Sequence, residues 1–161
     1  MKRLLCILLS LLLLASQLSA CSQKMKESVT FYYLQTAYQE NMDSPVVGEE
    51  REVAGHRDDL KYLLSFYLMG PISKGLSSPL PRGTLLFAVS QEGGRLTIEI
   101  SNTAALLTAP EFSLACACLS LTCMELTGAS EVTIVSGSRN LTFTQENLLL
   151  SDTVQPEEPT K

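Results

Sequence analysis

The order of apolar and polar positions divides the chain before any composition is considered. Leu4 to Leu14 is an almost unbroken apolar run, too short for the roughly 20 residues that cross a bilayer. Beyond it the apolar residues follow two shorter periods. Val29-Thr30-Phe31-Tyr32-Tyr33-Leu34, rich in β-branched and aromatic residues, predicts a first strand. Glu50-Arg51-Glu52-Val53 predicts a short edge strand. A helix is expected from about His56 to Met69, where Leu60, Leu63, Leu64, Tyr67 and Leu68 form one core-facing stripe. Asp58 and Asp59 suit its positive end, and Gly70-Pro71 stops it. Ile72 to Pro81 reads as a loop.

Thr84 to Ser90 predicts a strand with Leu85, Phe87 and Val89 on one face. Gly93-Gly94 supplies positive φ for a tight turn, and Arg95 to Ile100 alternates strictly, burying Leu96, Ile98 and Ile100. A second helix is expected from near Thr108 to about Leu126. Thr108 and Glu111 have capping-box spacing, Pro110 suits a first turn, and Gly128 stands past the end. Glu131 to Val135 and Asn140 to Thr144 predict a second hairpin. The second helix carries two apolar stripes, Phe112-Ala115-Cys116-Leu119-Cys123-Leu126 and, on roughly the opposite side, Leu114-Ala117-Leu121-Met124. Such a helix is either buried between layers or offered to a partner. Leu114, Leu121 and Met124 are therefore the candidate partner surface.

The predicted class is α+β: a two-layer sandwich with two helices on one face of a mixed or antiparallel sheet. The division expected is a signal peptide over 1–20, a lipidated tether over 21–28, a domain over 29–150 and a disordered acidic tail over 151–161.

The amino terminus changes the picture most. Met1-Lys2-Arg3 gives a positive region ahead of the apolar run, and Leu18-Ser19-Ala20-Cys21 closes it with small residues and a thiol. This stretch resembles the lipobox of bacterial lipoproteins, which implies thioether formation at Cys21 and cleavage before it. An ordinary secretory site with an incidental cysteine is the alternative. Charge then narrows the partners. The net charge is −5, and more negative once Lys2 and Arg3 leave, with no basic patch for nucleic acid. Attachment to anionic lipid must rest on acyl chains, two of which anchor stably where one does not.

With Cys6 in the signal and Cys21 at the lipid site, Cys116, Cys118 and Cys123 remain, all in the second helix. Cys116 and Cys123 lie about 10 Å apart along a helix, beyond disulfide reach, and Cys118 points to nearly the opposite side. Free thiols buried as small hydrophobes are expected, a usage that fits a reducing habitat better than an oxidising one. One helix cannot converge the three on a metal, so neither metal nor cofactor is expected. His56, the single histidine, reads as a solvated loop residue. No Gly-x-Ser-x-Gly elbow, phosphate loop, dinucleotide fingerprint or His-Glu-x-x-His motif occurs. Glu49, Glu50 and Glu52 read as a solvated edge rather than acid/base pairs.

Several segments in order resemble the GerMN domain of sporulation and germination lipoproteins. They are Val29-Thr30-Phe31-Tyr32, Glu50-Arg51-Glu52-Val53, Leu63-Leu64, Leu68-Met69-Gly70-Pro71, Gly75-Leu76-Ser77-Ser78, Leu80-Pro81-Arg82-Gly83-Thr84, the hairpin Val89 to Ser101 and the stretch Gly128 to Gly137. The resemblance implies a non-catalytic, membrane-anchored interaction module in sporulation, germination or cell-envelope assembly. Its partners would be the membrane lipid through Cys21 and envelope proteins or a second copy. A lipoprotein that binds a small ligand or cell-wall fragment is the competing reading. An enzyme using Glu or Asp is the least favoured.

Overall fold

The computed structural model describes residues 27–37 and 44–148. The signal segment, Cys21, most of the tether and the acidic tail lie outside them. Described in chain order are β1 (Ser28–Gln35), β2 (Val46–Glu52), α1 (Leu60–Leu68), β3 (Leu76–Ser77), β4 (Leu86–Glu92), β5 (Arg95–Ile100), a 3-10 turn (Ala104–Leu106), α2 (Ala109–Thr127), β6 (Glu131–Ser136), β7 (Arg139–Thr144) and α3 (Gln145–Leu148). The class is α+β. The strands divide into two sheets rather than joining in one, an antiparallel β2-β1-β3 sheet and a mixed β4-β5-β6-β7 sheet.

α2 is the crossover between the parallel strands β5 and β6, since a parallel pair cannot be joined by a tight turn. It packs on β1 of the first sheet and on β6 and β7 of the second. The first apolar stripe is thereby largely buried, whereas of the second only Met124 joins the core and Leu114, Ala117 and Leu121 are half-buried. A single core runs from Val29, Phe31 and Tyr33 through Leu119 and Cys123 to Ile98 and Ile134. By length and composition α2 would pass for a membrane span, yet here it is the central helix of a core.

Local chemistry explains most element ends. Asp59 caps α1 by accepting from the Tyr62 N–H at 3.0 Å, so α1 begins at Leu60 and His56 stays outside it, exposed and stacked on Tyr62 at 4.0 Å. At the start of α2, the Glu111 carboxylate accepts from the Thr108 N–H at 3.0 Å and from its hydroxyl at 2.7 Å. Gly128 ends the helix with φ 68°. In the β4–β5 turn only Gly93 has positive φ. At Gly94 a Cβ would lie 2.8 Å from Ser130 Oγ, so that hydroxyl, which donates to the Gly94 carbonyl, would have to move.

The β4 facing differs from the expectation. Leu85 and Phe87 are each 60% exposed, and Leu86 and Val89 pack on the core instead. Leu86 pairs with Ile100 and Val89 with Ile98, with a register shift between Leu86 and Ala88. The shift leaves Phe87 as an extra residue, and a bulge of one residue exchanges the two faces of the strand that precedes it.

Candidate functional site

The most constrained polar group in the described residues lies on β2, which begins at Val46 and is longer than its sequence signal. Because side chains alternate along a strand, Glu49, Arg51 and Val53 share the buried face while Glu50 and Glu52 are exposed. Glu49 is 6% exposed and Arg51 5%, and Arg51 Nε donates to Glu49 Oε2 at 2.7 Å. The guanidinium also donates to the Gly70 carbonyl and sits 4.8 Å from the Phe66 ring centroid, with Phe31 and Tyr33 at 5.6 and 5.7 Å. Glu49 Oε1 accepts from the N–H groups of Ile72, at 3.1 Å, and Ser73, at 2.6 Å. Burial alone pushes the Glu49 carboxyl up, but hydrogen bonds from Ser73 and Arg51 and the Arg51 charge outweigh it and leave it below the ordinary carboxylate value. Glu49 is therefore not part of a solvated edge. With Arg51 it fastens the segment after α1 to the first sheet.

The three remaining thiols are borne by α2, which packs on β1 of this sheet. Cys116, Cys118 and Cys123 are buried and unbridged. Burial pushes Cys116 up to about 12, against a smaller downward pull from Arg139, and Cys118 also to about 12. Cys123 is raised further by burial alone. Almost no thiolate exists at neutral pH in such surroundings, so nucleophilic and redox chemistry are suppressed. Tyr33 stacks on Tyr67 at 4.9 Å and donates its hydroxyl to the Tyr67 carbonyl at 2.9 Å. The Tyr32 N–H donates to Thr122 Oγ1 at 2.9 Å, which satisfies a β1 backbone donor from α2. Among the described residues no group of three His, Cys, Asp or Glu is placed to hold a metal ion.

The proposed partner surface on α2 is not one exposed patch. Met124 is 9% exposed and belongs to the core, while Leu114 and Leu121 are half-buried. Leu121 and Met124 line a groove of about 310 Å³ with Tyr32, Glu125, Gln145 and Leu148, and Leu114 lies outside it. The reason is α3, a single turn without a readable period, which folds back against α2 and β7. A second groove, about 410 Å³, runs past Leu68, Met69, Pro71, Leu76, Leu80 and Arg82. At its rim Met69 is 80% exposed, and Ile72 nearby is 74% exposed.

The chain is tied down from Glu27 onward. The Val53 N–H donates to the Glu27 carbonyl at 2.9 Å, the Gly55 N–H to Glu27 Oε2 at 3.0 Å, and Arg57 to the Ser28 carbonyl at 2.8 Å. Cys21 itself lies outside the described residues.

No protein-family model matches the chain, and no curated protein matches it. A crystal structure of a protein named "Putative Lipoprotein" from Clostridium perfringens is similar at 19% identity with a TM-score of 0.44, over 75% of this chain and 89% of that one.

Proposed function

We propose that this protein is an extracytoplasmic lipoprotein, held to the membrane by lipid on Cys21, whose domain is a non-catalytic interaction module. One observation carries the reading: Lys2-Arg3, the apolar run Leu4 to Leu14 and Leu18-Ser19-Ala20-Cys21 stand in the order and spacing that lipoprotein processing needs. From Cys21 to Ser28 the chain reaches at most about 25 Å, so the first sheet works close to the membrane surface. The described polar groups support a binding role rather than catalysis. Glu49 and Arg51 are consumed by each other and by backbone partners, and the thiols are protonated and sealed.

The finer role, in sporulation, germination or envelope assembly with envelope proteins or a second copy, is supported by the ordered resemblance to the GerMN domain. The glycines in that resemblance have backbone duties rather than chemical ones: Gly70 and Gly83 have φ of 92° and 83°. Replacing Cys21 by Ser tests the anchor. The Cys21→Ser protein should move from the membrane fraction to the soluble fraction and escape lipoprotein-type processing. Continued membrane fractionation with cleavage at the same bond would refute the proposal.

A further inference from the structure

The first sheet ends in an edge strand, β3, whose backbone is incompletely paired. The Gly75 carbonyl accepts from the Thr36 N–H at 2.9 Å, and Ser77 pairs with Leu34. Backbone groups alternate in direction along a strand, so those of Leu76 and Ser78 point away from β1. The Leu76 N–H is used locally, by the Ser73 carbonyl at 3.4 Å. The Leu76 carbonyl and the Ser78 N–H have no partner among the described residues. An acceptor and a donor so spaced suit one residue of a strand laid parallel to β3. Both residues line the groove of about 410 Å³.

The walls and the charge of this groove define what fits. Leu68, Met69 and Leu80 stand beside the strand edge and offer room for an apolar side chain. The chain carries a net charge of −5, yet no Asp or Glu occurs from 60 to 91. Lys74 and Arg82 are exposed in that acid-free segment, and neither side chain has an ion pair among the described residues. Glu49, which accepts from the Ser73 N–H, is already matched by Arg51. The anchoring membrane fits this edge less well. Leu76 lies opposite Gln35, about 23 Å along β1 from Ser28, so a tether of at most about 25 Å would have to be almost fully extended. We propose that the β3 edge takes an extended segment of an acidic partner protein. That segment adds a strand to the first sheet, places an apolar side chain in the groove and sets a carboxylate against Lys74 or Arg82. The proposal rests on the reading of the domain as an interaction module and not on the lipid anchor.

The test uses the detergent-extracted full chain and a library of ten-residue peptides. Apolar residues alternate in them with positions randomised among Asp, Glu, Lys and Ser. The parent protein should select peptides rich in Asp and Glu, and the best of them should slow hydrogen exchange at the Ser78 amide. Lys74→Glu with Arg82→Glu should keep the unfolding midpoint, weaken that peptide by about tenfold or more and turn selection toward Lys. Should the double reversal unfold the domain, Lys74→Gln with Arg82→Gln should still weaken the acidic peptide. Selection indifferent to charge, or no selected peptide, would overturn the proposal. Protection of amides on another strand would overturn it too, while leaving the interaction-module reading in place. It also fails if phosphatidylglycerol vesicles bind the Cys21→Ser chain through Lys74 and Arg82, or if peptide binding is lost as the chain self-associates, the marks of a lipid surface and of a second copy.

Discussion

Replacing Arg51 by Met should lower the free energy of unfolding by about 3–5 kcal/mol, the range for removing one partner of a buried ion pair. The loss is expected to be that large because of what stays behind. Glu49, 6% exposed, would keep its backbone donors at Ile72 and Ser73 and lose its counter-ion. Phe31, Tyr33 and Phe66 would lose the cation between their rings, and the Gly70 carbonyl its donor. Urea unfolding at neutral pH measures the effect. Adding Glu49→Leu to Arg51→Met should recover part of the loss, since an apolar pair leaves no uncompensated charge. The pair also sets an acid response. Because the folded-state pKa of Glu49 is depressed, its stabilisation is present above the unfolded carboxylate value and is lost as pH falls through the folded one. The parent protein should therefore lose stability in acid more steeply than the Arg51→Met variant.

Phe112→Ala should cost a similar amount, about 3–5 kcal/mol. Phe112 is 1% exposed in the first turns of α2, and the Arg139 guanidinium lies 3.9 Å from its ring centroid. The same guanidinium donates to the carbonyls of Ala105, at 3.1 Å, and Leu107, at 2.6 Å. Phe112 therefore fills a core position and also supports the arginine that ties the start of β7 to the 3-10 turn. Phe112→Leu separates the two contributions. It keeps most of the apolar burial and removes the π face, so its cost should be smaller, on the order of 1 kcal/mol beyond the change in packing. Thermal or urea unfolding of both variants gives the comparison.

The contrast between these sites and the sequence signals has a physical basis. β5 was legible because Leu96, Ile98 and Ile100 alternate with polar residues and all three are buried. The α2 termini were legible because Glu111 and Gly128 act through neighbours a few residues away. Glu49 and Arg51 were not: charged residues signal solvent, and their burial depends on Phe66, Gly70 and Ser73, brought close by the fold of α1 onto the first sheet. The regular alternation of Glu49, Arg51 and Val53 was the available clue. The bulge at Phe87 has no local signature, since Leu85, Leu86, Phe87 and Val89 permit either facing and pairing with Ile98 and Ile100 decides it. Separation into two sheets escaped for the same reason, because strand partners are chosen across the chain. Met124 joined the core through packing that its helical period could not specify. Cys21 is the opposite case: its proposed role rests on sequence order alone, and it lies outside the described residues.

That cysteine can be examined by the mass of the amino-terminal peptide of protein extracted from membranes. The peptide should begin at Cys21 and carry a diacylglyceryl group on its sulfur. A chain that begins upstream of Cys21, or one that carries Cys21 as a free thiol, would contradict the lipoprotein reading.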